Sequence, residues 1–390
     1  MIDFNFQVKT KLFFGKKKEL LIGEILSSKN AKKVMIVIGQ SSVKKSGLLD
    51  VVLQSLDSYK IAYKILAGVR PNPTVDLVYQ GIKTAKEYKP DYLLAIGGGS
   101  VIDTAKLISV GYYYNGDAFD FNRHIAKPNR ALPIGVILTI SASGSEMSTS
   151  CVIQNDTLSY KSGFNSEFVR PDFAIENPEL TFSVNPTQTA YGIVDIMMHT
   201  LERYLQPSAS NELCDGFSEG LLKSVIKAGK GVMENPRDYE SRAVLMLSSS
   251  LSHNGITGIG KKTSMPVHQL EHALSGLYPH VAHAAGLAVL FPAWAKYYLT
   301  YDVDKFDQLA RNVFDSHLKD RTENAKNGIK LLEEYFRFLH MPKNYCDLQI
   351  ENIDIEQLVN KLTDDGTRVI DHHIKPIDQE VAYIIYKSCL

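Results

Sequence analysis

The sequence predicts a Rossmann-like α/β domain with a parallel sheet over residues 1–185, followed by an all-α domain over residues 186–390. The first half alternates short β-rich apolar runs with segments of helical spacing, the pattern of βαβ units. From Pro186 onward the β signal disappears, and apolar residues recur at three- and four-residue steps. A chain of 390 residues is also too long for one compact core, so two domains are the natural division.

The elements follow in order. "KKVMIVIG" (32–39), "KIAYKILAG" (60–68), "DYLLAIGGG" (91–99) and "PIGVILTIS" (133–141) read as strands. Their nearly continuous apolar character fits strands covered on both faces. "PTVDLVYQGIKTAKEY" (73–88) has helical spacing between two of them. In the second half "TQTAYGIVDIMMHTLERYL", "NELCDGFSEGLLKSVIKAGKGVM", "DYESRAVLMLSSSLSHNGITG" and "NAKNGIKLLEEYFRFL" all read as helices. The N-terminal "FNFQVKTKLFFG" reads as a strand able to pair across a two-fold axis, which would suit a homodimer.

Composition excludes several classes. Forty-three basic residues balance forty-three acidic ones, so overall charge supports neither a nucleic-acid partner nor an anionic membrane. No segment approaches eighteen uninterrupted apolar residues, and the N-terminus lacks an apolar signal core. Cys151, Cys214, Cys346 and Cys389 show no CxxC pairing and read as reduced thiols in a cytoplasmic protein.

"LLAIGGGSVIDTAK" sets Gly97, Gly98 and Gly99 directly after a buried strand, with Ser100 opening a helix. Glycines let backbone approach a ligand closely, and the helix N-terminus offers free N–H groups to a phosphate. Strand, glycines, then helix is the context a nucleotide site requires. A plain tight turn, with Ser100 as N-cap and Asp103 three residues on, would need fewer glycines. The loop after the first strand, "IGQSSVKKSG" (38–47), has no carboxylate between Gly39 and Leu49. Ser41, Ser42, Lys44 and Lys45 offer hydroxyls and positive charge instead, which favours NADP(H) over NAD(H). A solvated basic turn would give the same lysines.

Four of the eleven histidines, His268, His272, His280 and His283, fall within "MPVHQLEHALSGLYPHVAH" (265–283). His268 and His272 stand four apart, as do Asp195 and His199 in "YGIVDIMMHTLERYL". On a helix each pair shares one face. One Asp with two or three His suits Fe²⁺ or Zn²⁺ with a position left open for substrate. Glu202, one turn beyond His199, reads equally as a group supporting a ligand or as a helix-face charge. His124, His253, His317, His340, His372 and His373 have no such context.

With "GGGSVID", "TISASGSEM", "GIVDIMMHTLERYL", "HQLEHALSG" and "HAAGLAVLFP" in this order, the chain resembles the iron-containing (group III) alcohol dehydrogenases, and among them the butanol dehydrogenase-like branch. The resemblance covers essentially the whole chain and implies a dehydroquinate synthase-like architecture. It implies Asp195, His199, His268 and His283 as metal ligands. The run from His268 to His283 is one residue longer than the family pattern, so His280 competes with His283. "GLAVLFP" follows His283 in the family register, which selects His283. His272 matches a histidine near the nicotinamide and is a candidate proton relay.

The resemblance also places Gly98, Gly99 and Ser100 at the pyrophosphate, Thr139 and Ser143 on the loop past phosphate and ribose, and Lys161 at the ribose. Gly39 and Ser41 fall at the adenosine end, and Asp103, an acidic residue near the nicotinamide, is a candidate catalytic and cofactor-binding residue. The expected reaction is hydride transfer between NAD(P)H and a small aldehyde such as butanal, with the metal polarising the carbonyl. A glycerol dehydrogenase, a dehydroquinate synthase-like lyase or a non-catalytic nucleotide sensor would share parts of this equipment.

Overall fold

A computed structural model of the chain describes residues 1–206, 211–372 and 374–390. His373 therefore lies outside the described residues. The chain forms two compact units.

The α/β unit contains residues 7–184 and 237–250. Its strands are β1 (Lys11–Phe14), β2 (Lys33–Gly39), β3 (Ala62–Val69), β4 (Tyr92–Gly97), β5 (Ile134–Leu138), β6 (Ser150–Asn155), β7 (Tyr160–Asn165) and β8 (Phe173–Glu176). Six of them build one sheet in the order β1-β8-β5-β4-β2-β3, with every neighbouring pair parallel. β6 and β7 pair as a separate antiparallel hairpin. Between the strands run α1 (Ile22–Ser28), α2 (Ser42–Lys45), α3 (Leu48–Ser58), α4 (Val75–Tyr88) and α5 (Gly99–Gly111).

Alternation along the strands builds two cores. Met35, Val37, Leu93, Ala95 and Val136 join Val78 of α4 and Ala105 of α5 on one face. Val34, Ile36, Ile38, Leu94 and Ile96 join Leu26 of α1 and Val52 of α3 on the other. Both faces are covered, which explains the continuous apolar runs.

Topology sets a switch point in the sheet. From β2 the chain crosses to β3 on one side, then returns to β4 on the other side of β2. The loops after β2 and β4 therefore leave in opposite directions, opening a crevice at the carboxyl ends of those strands. Gly39 ends β2 and Gly97 ends β4, directly beyond the Ile38–Ile96 pair.

Three strands went unread in the sequence because β6, β7 and β8 are short and mixed in polarity, with "FAIE" only four residues long. Of "FNFQVKTKLFFG" only Lys11–Phe14 is strand, and it pairs in parallel with β8 at the sheet edge.

The helical unit contains residues 1–6, 185–236 and 251–390. It includes α6 (Pro186–Tyr204) and α7 (Glu212–Glu234); α8 (Tyr239–His253) follows; then come α9 (Pro266–Leu277), α10 (His283–Leu299), α11 (Val303–Phe314), α12 (Arg321–Phe338), α13 (Ile355–Thr363) and α14 (Gln379–Lys387). α10 packs on both α6 and α9. α6 starts at an Asn185 cap, whose side chain accepts from the Gln188 N–H at 2.8 Å, with Pro186 behind it. From Thr189 to Tyr204 all but one of its residues are buried. No described helix is long and apolar enough to cross a membrane.

The units depart from a single division at residue 185 in two places. Ile2 N–H donates to Gly260 O at 3.0 Å, within the helical unit. Residues 237–250 belong to the α/β unit, where Ser249 Oγ accepts the N–H groups of Ala142 (3.1 Å) and Gly144 (3.2 Å). Helical period tells where a helix lies, not which core receives it.

Candidate metal centre and nucleotide loop

The glycine loop is built by close packing. A Cβ on Gly97 would stand 2.5 Å from Val101 Cγ2, one on Gly98 2.2 Å from Ile140 Cγ2, and one on Gly99 2.3 Å from Ser143 Oγ. Each glycine is thus required by a neighbour as well as by any ligand. Gly98, not Ser100, occupies the N-cap of α5, so Ser100 sits within the first turn. The N–H groups of that first turn have no carbonyl of their own helix to bond.

The loop after β5 lies beside this turn: Thr139 N–H donates to Gly97 O at 3.1 Å. Ser141 Oγ is buried and has no hydrogen-bond partner among the described residues. A buried hydroxyl left so is costly, and a polar ligand at this loop would satisfy it. Asp103 ties α5 to the same segment, accepting from Ser145 Oγ (2.5 Å) and Val152 N–H (3.0 Å). Lys161, on β7, is buried and donates to Asn72 Oδ1 at 3.2 Å. Ser41 stands at the N-cap position of α2 without a side-chain cap bond, and Lys44 and Lys45 of that helix are exposed.

In the helical unit three imidazoles gather around one carboxylate oxygen. His199 Nδ1 lies 3.4 Å, His268 Nε2 3.8 Å and His283 Nε2 4.0 Å from Asp195 Oδ1. Most of these gaps exceed a hydrogen bond. Ligands about 2.1 Å from a shared tetrahedral ion stand about 3.4 Å apart, so the spacing fits a divalent metal. Asp195 Oδ1, His199 Nδ1 and His268 Nε2 are buried atoms with no hydrogen-bond partner among the described residues. An ion among them would satisfy all three at once. The fourth, His283, is the most open, with its side chain 27% exposed.

His280 is exposed and packs on Tyr278, away from this cluster. His272 is half-buried, its ring centroid 5.6 Å from that of His283. His253, without context in the sequence, lies against His199 with centroids 4.1 Å apart. Nothing in "SLSHNG" signals that contact. Glu202 and Glu271 each hold the Nδ1 atom of one cluster histidine, His268 and His283 respectively. Glu271 was missed in the sequence because its role is visible only across helices.

Burial, His253 and His268 push His199 well below the usual imidazole range, so it stands neutral and ready to ligate. Burial would lower His268 too, but the Glu202 and Asp195 carboxylates outweigh it and hold His268 at about 9. Without an ion His268 is thus protonated at neutral pH, and an ion on Nε2 must displace that proton. We expect about one proton released per ion bound at pH 7, falling towards none above pH 9. Calorimetry in buffers of different ionisation enthalpy measures this, and release independent of pH would remove His268 from the ligand set.

A glycine turn after a strand of a parallel α/β unit and a carboxylate–imidazole cluster among helices are together the equipment expected of a metal-using dehydrogenase. Residues 9–178 match the family described as iron-containing alcohol dehydrogenase. Residues 189–389 match the C-terminal region of the Fe-containing alcohol dehydrogenase family. The chain belongs to that family, and its activity is that of an alcohol dehydrogenase and aldehyde reductase. It is 39% identical to NADH-dependent butanol dehydrogenase A of Clostridium acetobutylicum, with 100% of both chains covered. It is 31% identical to the NADPH-dependent aldehyde reductase YqhD of Escherichia coli, again over 100% of both. The crystal structure of NADH-dependent butanol dehydrogenase A from Thermotoga maritima superposes with a TM-score of 0.96 at 32% identity, covering 100% of this chain and 99% of that one.

Proposed function

We propose that the chain interconverts small aldehydes and primary alcohols, butanal and butanol among them, with NADPH preferred over NADH. We place Fe²⁺, or Zn²⁺ in its stead, on Asp195, His199, His268 and His283. The observation that carries this reading is the trio of buried atoms on Asp195, His199 and His268, without a hydrogen-bond partner among the described residues and within 4.8 Å of one another. When bound, the ion supplies Lewis acidity to a carbonyl oxygen and the nicotinamide supplies hydride.

The chain's own residues do the rest. Gly98, Gly99 and Ser100 offer backbone N–H groups to a pyrophosphate. Thr139, Ser143 and Lys161 serve the phosphate and ribose, and Gly39 and Ser41 the adenosine end. His272 delivers the proton that turns the developing alkoxide into alcohol. Asp103 holds the segment 145–152 in place through its bonds to Ser145 and Val152. NADPH preference is supported by the absence of any carboxylate in residues 39–49 and by the exposed Lys44 and Lys45. A cytoplasmic setting is supported by four unpaired cysteines. A homodimer is supported by β1, whose outer edge pairs with no described strand.

Butanal reduction by metal-loaded protein, with NADPH and NADH consumption followed in parallel, tests the reading. Faster turnover with NADPH, stopped by a chelator, is expected. Preference for NADH would leave the reaction intact and sink the reading of residues 39–49. Cofactor bound but not consumed in proportion to product would point to a lyase or a sensor.

A further inference from the structure

Glu202 and Glu271 are both fully buried, at 0% exposure. A carboxylate so placed is costly unless its oxygens are bonded. Glu202, on α6, bonds His268 Nδ1 through Oε1. Its Oε2 accepts the N–H groups of Val267 (2.7 Å) and His268 (3.4 Å) in the first turn of α9. That turn has no cap of its own, because Met265 at the N-cap makes no side-chain bond. One carboxylate from α6 therefore caps α9 and grips its histidine. Glu271, on α9, in turn grips Nδ1 of His283 at the start of α10.

Each bond fixes one ring. A carboxylate on Nδ1 keeps the proton there and leaves the Nε2 lone pair for a metal. The Nε2 atoms of both rings point at Asp195 Oδ1, 3.8 and 4.0 Å away. We infer that Glu202 and Glu271 are positioning residues, which brace α6 to α9 and α9 to α10 and so set how tightly this chain holds its metal. The brace needs Gly286. A Cβ there would stand 2.9 Å from Glu271 Cγ and 3.3 Å from its Oε1. Any larger residue would push Glu271 off His283. This inference rests on the ligand set proposed above.

The test uses the full chain, stripped of metal, in four forms: wild type, Glu202→Gln, Glu271→Gln and Gly286→Ala. Zn²⁺ affinity is read by competition with a chromophoric chelator. Ligand geometry is read from the visible spectrum of bound Co²⁺, and the metal-free fold from circular dichroism. Each variant is expected to bind Zn²⁺ about 10- to 100-fold more weakly. Glu271→Gln and Gly286→Ala should also shift the Co²⁺ bands while the metal-free fold stays as in wild type, an outcome a purely structural role would not produce. Wild-type affinity and spectrum in both Glu271→Gln and Gly286→Ala would overturn the inference. So would two ions per wild-type chain, falling to one in Glu271→Gln, because Glu271 would then be a ligand itself. Wild type that binds no ion would sink the ligand set, and this inference with it; wild type that binds while Glu271→Gln and Gly286→Ala both bind equally sinks only the inference.

Discussion

Asp195→Ala is expected to abolish tight metal binding and to slow aldehyde reduction by at least 10²–10³-fold, the usual cost of losing one preorganised stabiliser of developing charge. Asp195 Oδ1 is the point shared by all three imidazoles, within 4.0 Å of each. Asp195 is also the one anion of the proposed ligand set, so its loss would leave a neutral set to hold a dication. Metal content by atomic emission and the rate of butanal reduction check the outcome together. The helix around Asp195 is buried, so circular dichroism of the variant must match wild type. Full metal content with full activity would show that the ion sits elsewhere.

Gly99→Ala strikes the other unit. The new Cβ would stand 2.3 Å from Ser143 Oγ and 3.2 Å from Ser143 Cβ, so the loop after β5 must move. Overpacking of this kind costs about 1–3 kcal/mol. If that cost falls on cofactor binding, the Kd for NADPH rises roughly ten- to hundredfold. Metal content should not change, because Gly99 and the imidazole cluster belong to different compact units. Cofactor titration by fluorescence, run beside metal analysis, separates the two effects. Unchanged cofactor affinity would remove the glycine turn from the binding site.

Much of the molecule is legible in the sequence. β2, β4 and β5 are buried on both faces, so their apolar runs mark them whatever their neighbours do. The Asp195–His199 and His268–His272 spacings are local helix geometry, readable at one turn's distance. The glycine run was also plain, although the structure gives it a second reason: Val101, Ile140 and Ser143 crowd each position. What stayed hidden depends on distance along the chain. The stretch "DYESRAVLMLSSSLSHNGITG" reads as helix and forms α8 over Tyr239–His253, but only the bonds of Ser249 to Ala142 and Gly144 and of Ser250 to Glu146 show which unit its first part completes.

By itself, then, the sequence determined the α/β-then-helical order, the glycine turn after β4, the Asp195–His199 and His268–His272 spacings and the family. Each of these is written in residues a few positions apart, where backbone geometry alone sets which side chains meet. Only the tertiary structure brought His283 beside Asp195, set His253 against His199, and gave Glu202 and Glu271 their histidines. Those contacts join different helices, and no local period specifies how one helix face will be filled by another.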